Sequence, residues 1–301
     1  MRNGDERYGI PQEMLRQDAT PPQIALPQTN SVGQQAGTIS FIAPTEFVFL
    51  PSKGKYYPQG HALHNKDSIE IKQMTAREED ILTNRSYIKK GVAIDKLLEA
   101  LIVDKSIQLD DLLIGDKNAL LLAVRISAYG LEYPVQIQCP SCETKCEHEF
   151  NLFDVLMQSK KDEVEEALEV LPEGVALTER GTFAFELPST KWVVEVKALN
   201  GHDEKRVARM VEARKKLNQG SDASIIDQLK VSIVSISGVT DRATIEKAIS
   251  MMPAKDSRYI RMMYPKIIPD VKFAQSFSCS ECGDTNEMEV PLTAEFFWPK
   301  R

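Results

Sequence analysis

The chain has 301 residues, 42% of them hydrophobic, which is enough to bury at least one substantial core as two domains or one elaborated domain. Its 37 Lys and Arg against 44 Asp and Glu leave a formal net charge of -7, which argues against binding nucleic acid through phosphates, since that needs a basic surface to displace counterions. No run approaches the roughly 18 to 20 apolar residues of a membrane helix, and no apolar signal core follows Met1, so neither membrane insertion nor export is expected and the chain reads as cytosolic.

Residues 1–40 are rich in Gln, Pro, Thr, Asn and Gly with little periodicity, which predicts a disordered N-terminal arm. Order is expected from residue 41, where Phe47, Val48, Phe49 and Leu50 precede a turn bearing Pro51, Gly54 and Pro58. Ser68-Ile69-Glu70-Ile71-Lys72 alternates as a strand does. Thr75 with Glu78 three residues on forms a capping box ahead of a short helix over 76–83. From Ala93, the apolar residues Ile94, Leu97, Leu98, Leu101 and Ile102 recur at helical spacing. Asp116 is placed to cap a further buried helix that contains Arg125 and stops at Gly130.

Beyond this point the pattern predicts a charged helical segment over 152–171 and strands over 182–187 and 192–199. Helices are expected over 203–217, 222–236, 242–251 and 257–264, with turn signals at Gly220, Gly238 and Pro253, so the middle reads as mostly helical.

The most specific feature is a repeated unit. Gln136-Ile137-Gln138-Cys139-Pro140-Ser141-Cys142 is echoed by Ser276-Phe277-Ser278-Cys279-Ser280-Glu281-Cys282, and each copy is followed by another strand-like run. A two-residue spacer lets both sulfurs of one turn reach a single ion at about 2.3 Å, and two such turns complete a closed tetrahedron with no position for water. Cys139, Cys142, Cys279 and Cys282 are therefore the expected ligands of one structural zinc per chain, with Cys146 and His148 as spare donors beyond the first turn. Two rival readings of the same residues are a dithiol oxidoreductase using Cys139 and Cys142 and a zinc-hairpin regulator that binds nucleic acid. The first leaves the matched second pair without a role, and the second meets a surplus of acidic side chains around both turns.

Elsewhere, Lys53-Gly54-Lys55 lacks the full spacing of a phosphate loop, and the four histidines form no catalytic motif. Glu78, Glu79 and Asp80 suit the positive end of a helix. Phe296-Phe297-Trp298 concentrates aromatics near the C-terminus, for packing on the zinc module or for docking a partner.

Three blocks carry a resemblance: residues 49–58, from Phe49-Leu50-Pro51-Ser52-Lys53-Gly54-Lys55 to Tyr56-Tyr57-Pro58; residues 74–82, Met74-Thr75-Ala76-Arg77-Glu78-Glu79-Asp80-Ile81-Leu82; and Leu113-Ile114-Gly115-Asp116-Lys117-Asn118-Ala119. Together with Arg125, Tyr129-Gly130 and the turn from Cys139 to Cys142, they resemble the baseplate hub family of T-even-type contractile-tailed bacteriophages. The likeness spans about 47–152 and resumes loosely at Cys279 and Cys282. It implies a hub subunit or hub assembly factor with no catalytic residues, found in the host cytoplasm during assembly and in the virion tail baseplate. Other baseplate or hub proteins would be its partners, and a homo-oligomer is left open. The expected contact residues are Lys53, Tyr56, Tyr57, Phe297 and Trp298.

The expected fold class is α+β: a mixed, mostly helical domain over 41–301, closed by two Cys-x-x-Cys β-hairpins forming a zinc-ribbon-like module, after an arm over 1–40. Within it, 41–152 is the family block with the first hairpin, 153–270 a helical insert, and 271–301 the second hairpin with the aromatic tail.

Overall fold

Alternation of apolar residues sets the first element of the computed structural model, which describes residues 43–156, 171–216, 225–292 and 296–297. Strand β1 (Thr45–Phe49) pairs antiparallel with β2 (Ser68–Lys72), from Thr45 opposite Lys72 to Phe49 opposite Ser68. Val48, Ile69 and Ile71 face the core while Phe47 and Phe49 face outward, as the two-residue period requires. The expected arm over 1–40, most of the charged segment over 152–171, and Trp298 lie outside the described residues.

Helix α1 (Ala76–Thr83) begins at the expected box, the Thr75 backbone N–H donating to the Glu78 carboxylate at 3.1 Å. Helix α2 (Arg85–Lys90) was not expected: it buries no residue, so its sequence carries no apolar period, and the Asn84 side chain caps it instead. Helix α3 (Ala93–Leu101) buries Leu97, Leu98 and Leu101.

Helix α4 (Ile114–Tyr129) corrects the expected cap. It starts at Ile114, which places Asp116 inside the first turn and fully buried. There its carboxylate accepts from the Ser52 backbone N–H at 3.0 Å, the Ser52 hydroxyl at 2.6 Å and the Tyr57 hydroxyl at 2.6 Å. The Tyr57 oxygen in turn accepts from the Leu113 N–H at 3.1 Å. Burial pushes the Asp116 carboxyl up against the pull of these donors, and burial followed by the nearby Asp116 charge pushes the Tyr57 phenol up. The turn after β1 is thus folded inward onto the helix start. Gly54 permits this, for at φ +70° an added Cβ would lie 2.4 Å from the Lys66 backbone. At the other end of α4, buried Arg125 donates to the carbonyls of Gly130 and Glu132, each at 2.9 Å, and its guanidinium lies over the rings of Tyr129, Tyr133 and Phe296.

The described part of the central segment is mostly helical, as expected, and its helices accompany a sheet that adds two strands to those expected over 182–187 and 192–199. Strands β5 (Val175–Leu177), β6 (Phe183–Glu186), β7 (Val193–Val196) and β8 (Ile233–Ile236) form a four-stranded antiparallel sheet in chain order. It is accompanied by α5 (Gly201–Lys216), α6 (Ile225–Ser232), α7 (Arg242–Ser250) and α8 (Ala254–Ile267). The helix expected over 222–236 ends at Ser232, and the chain turns directly into β8, where the open edge of β7 supplies hydrogen-bond partners. A β-branched run such as Ile233-Val234 suits either a buried helix or a strand, and the neighbouring edge decides which.

Two apolar clusters result. One joins β1, β2, α3 and α4 to the cysteine hairpins, and the other lies between the four-stranded sheet and helices α6, α7 and α8. Tyr56 and Ile268 pack on both, with the Tyr56 ring 5.2 Å from that of Phe183. Backbone bonds from Ile114 N to Leu199 O at 2.8 Å and from Gly201 N to Leu112 O at 3.2 Å also join them. Among the described residues no helix is long and apolar enough to cross a membrane.

Candidate metal centre

Four strands carry the cysteines. Strand β3 (Glu132–Gln138) pairs antiparallel with β4 (Lys145–Asn151), and β9 (Ala274–Ser278) with β10 (Thr285–Glu289). Both hairpins close on the same turn. In the first, Cys139 N–H donates to Thr144 O and Glu143 N–H to Cys139 O, each at 2.9 Å. In the second, Cys279 N–H donates to Asp284 O at 2.9 Å and Gly283 N–H to Cys279 O at 3.0 Å. The residue after the second cysteine is left-handed in both, Glu143 at φ 58° and Gly283 at φ 71°.

These turns face one another. Cys139 Sγ lies 3.8 Å from Cys282 Sγ and Cys142 Sγ lies 3.7 Å from Cys279 Sγ, and the four sulfurs all fall within 4.8 Å of one another. A tetrahedral ion with metal–sulfur bonds of about 2.3 Å separates its sulfurs by about 3.8 Å, so this donor set fits a thiophilic cation such as zinc. All four are free thiols, too far apart for a disulfide. Cys139 and Cys279 are buried beneath the turns, whereas Cys142 and Cys282 are exposed on the rim.

Close packing of thiols sets their acidities apart. Backbone N–H groups of Cys282 and Glu281 pull Cys279 down to about 6. Thr144 lowers Cys142. Cys282 is drawn down by the Asp284 N–H, but the Cys279 thiol, burial and the Cys142 and Cys139 thiols together outweigh this and push it up to about 12. One thiolate therefore forms readily and hinders the next, a conflict that a bound cation removes. The hairpins are also tied across the centre, the Ser141 hydroxyl donating to Asp284 and Asn286 Nδ2 reaching the same carboxylate at 2.9 Å.

The spare donors stand outside this group of four. Cys146 is buried on β4 opposite Ile137, and burial pushes its thiol up. His148 packs edge-on against Phe150 at 4.6 Å and Phe277 at 5.2 Å, and burial pushes its imidazole down. Around the turns, Glu143, Glu147, Glu149, Glu281, Asp284, Glu287 and Glu289 are exposed, a rim that repels phosphate.

The expected contact residues distribute differently. Lys53 is half-buried at φ 49° in the inward-folded turn, and Tyr56 sits between the two apolar clusters. Tyr57 and Phe297 are buried: the Tyr57 ring is not offered to a partner as expected, and Phe297 follows the packing alternative for the aromatic run and not the docking one. Tyr57 serves Asp116, while Phe297 meets Phe296 edge-on at 5.2 Å, and Phe296 meets Tyr133 at the same distance. Asp116 was expected only as a helix cap, and Arg125 and the cross-hairpin bonds of Ser141, Asp284 and Asn286 had no assigned role in the sequence. A charged residue within an apolar stripe was the signal for Arg125, and the tertiary partners of the others lie too far along the chain to be read.

A family model described as T4 bacteriophage base plate protein matches residues 43–298. No curated protein and no solved structure gives a match.

Proposed function

The chain belongs to the T4 bacteriophage base plate protein family, and from this premise we propose that it is a non-enzymatic component of the central tail hub, or a factor for hub and baseplate assembly. In this reading it acts through protein surfaces, with other baseplate or hub proteins as partners, in the host cytoplasm during assembly and in the virion tail baseplate. Residues 41–301 work as one unit stapled by a single structural zinc on Cys139, Cys142, Cys279 and Cys282, in a zinc-ribbon-like module. The observation that carries the metal reading is the convergence of four sulfurs from two turns 137 residues or more apart in sequence. Four thiolates close the coordination shell and leave no open position for a reacting water, which supports a structural and not a catalytic ion.

Elemental analysis of protein purified without added metal tests the site: one zinc per chain, absent from Cys139→Ser and Cys279→Ser, is expected, and metal-free protein with reactive thiols would overturn it. Quantitative mass spectrometry of purified virions separates the two baseplate roles, since a hub subunit is retained and an assembly factor is absent. Tails that assemble normally after deletion of the gene would remove both.

A further inference from the structure

The outward face of the β1–β2 ribbon has no role in the metal centre. Phe47 and Phe49, two positions apart on β1, are 65% and 61% exposed, while Val48 between them is buried. Phe47 borders a groove of about 420 Å³ whose floor includes Leu63, Ile69 and Ile107. Its rim is acidic: Asp67, Glu70 and Asp104 stand against Lys66, which is already paired with Asp104 at 3.8 Å. The Glu70 carboxylate, directly across from Phe47 in the ribbon, has no ion-pair partner among the described residues. Lys72 lies on the same face at the far end, opposite Thr45.

We propose that this groove is a docking site for a segment of another protein that inserts an apolar side chain beside Phe47 and Phe49 and sets Lys or Arg against Glu70, Asp67 and Asp104. Exposed aromatics beside a groove are the usual anchors of such contacts, and rim charge selects the partner. Charge decides against the other occupants. Two copies meeting through this face would oppose acidic rims, on a chain whose net charge is already -7. The N-terminal 42 residues supply Arg2, Arg7 and Arg16 against Asp5, Glu6, Glu13 and Asp18, no basic complement to the rim.

The test uses the full chain with a photo-reactive benzoylphenylalanine at position 47, irradiated in cells during phage assembly, with cross-linked peptides sequenced by mass spectrometry. The expected product is a peptide of a different protein with an apolar residue adjacent to Lys or Arg. Its yield should fall about tenfold or more in Glu70→Lys and in Phe49→Ala, as when an anchor or its selecting charge is lost. Cross-links confined to a second copy or to residues 1–42, a yield no greater than from the same probe at exposed Lys191, or a yield indifferent to Glu70→Lys would overturn the proposal. Retained melting temperature and metal content show that these surface variants fold. Whether the captured protein belongs to the tail tests the baseplate reading separately, because the site is defined by the peptide's chemistry.

Discussion

Of the two cysteine hairpins, β3–β4 has seven-residue strands that lay Tyr133, Val135, Ile137, Cys146 and Phe150 into the larger core, whereas β9–β10 has five-residue strands and buries Phe277 alone. The first leaves a buried helix through a bend held by Arg125, and the second follows helix α8 in the chain. Yet their turns are superposable in hydrogen bonding, and each supplies one buried and one exposed thiol. An isolated two-stranded hairpin is marginal in water, so on the proposed metal reading the short one would depend on an ion at its tip. The ion would then fasten the second hairpin to a first that packing already secures.

The strongest way to break that comparison is to remove the ion. Chelation, Cys139→Ser or Cys279→Ser is expected to lower the melting temperature by on the order of 10 °C. Hydrogen exchange should then show β9–β10 amides losing protection while β3–β4 amides keep most of theirs; equal loss would mean that both hairpins rest on the metal. Next come the buried rings. Phe150→Ala and Phe277→Ala should each cost about 3 to 5 kcal/mol in the metal-loaded protein, measured by chemical denaturation. In metal-free protein the Phe277 cost should shrink and the Phe150 cost persist, since a frayed hairpin has little packing left to lose.

The turns allow a smaller test of the same kind. Gly283→Ala places a side chain at positive φ in open space and should cost about 1 kcal/mol. Glu143→Gly at the equivalent place should be neutral or stabilising by a few tenths of a kcal/mol, relief of the left-handed strain being partly offset by unfolded-chain entropy. The smallest effect is electrostatic. Ser141, then Asn286, hold the exposed Asp284 carboxyl below its ordinary range. Its contribution is therefore present above the unfolded pKa and lost as pH falls through the folded one. Ser141→Ala should move the Asp284 midpoint up towards the ordinary carboxylate value in an NMR titration, and an unmoved midpoint would remove the cross-hairpin bond from the account.

The N-terminal half was legible because its signals are local. The strand over Ser68–Lys72, the helix over Ala76–Thr83 with its box, the periodic helix from Ala93 and the stop at Gly130 each depend on neighbours within a few residues. Of the helix expected over 222–236, residues 233–236 were misread because apolar spacing in a buried run does not separate helix from strand, and the β7 edge that captures Ile233 is distant in sequence. Asp116 was assigned to capping for a related reason: a carboxylate near a helix start suits a cap, and only the inward fold of the turn bearing Ser52 and Tyr57 makes it a buried hub of donors.

The sequence by itself determined the pair of Cys-x-x-Cys turns and the chemistry they suit, since thiol number and spacing are covalent facts. Only the tertiary structure decided that the turns meet, because Cys142 and Cys279 are brought to 3.7 Å by the helices, sheet and returning strand that separate them. It likewise decided which aromatics remain outside: Tyr57 is drawn in by Asp116, remote in the chain, and Phe297 joins the larger apolar cluster, while the two-residue period of β1 turns Phe47 and Phe49 to the surface.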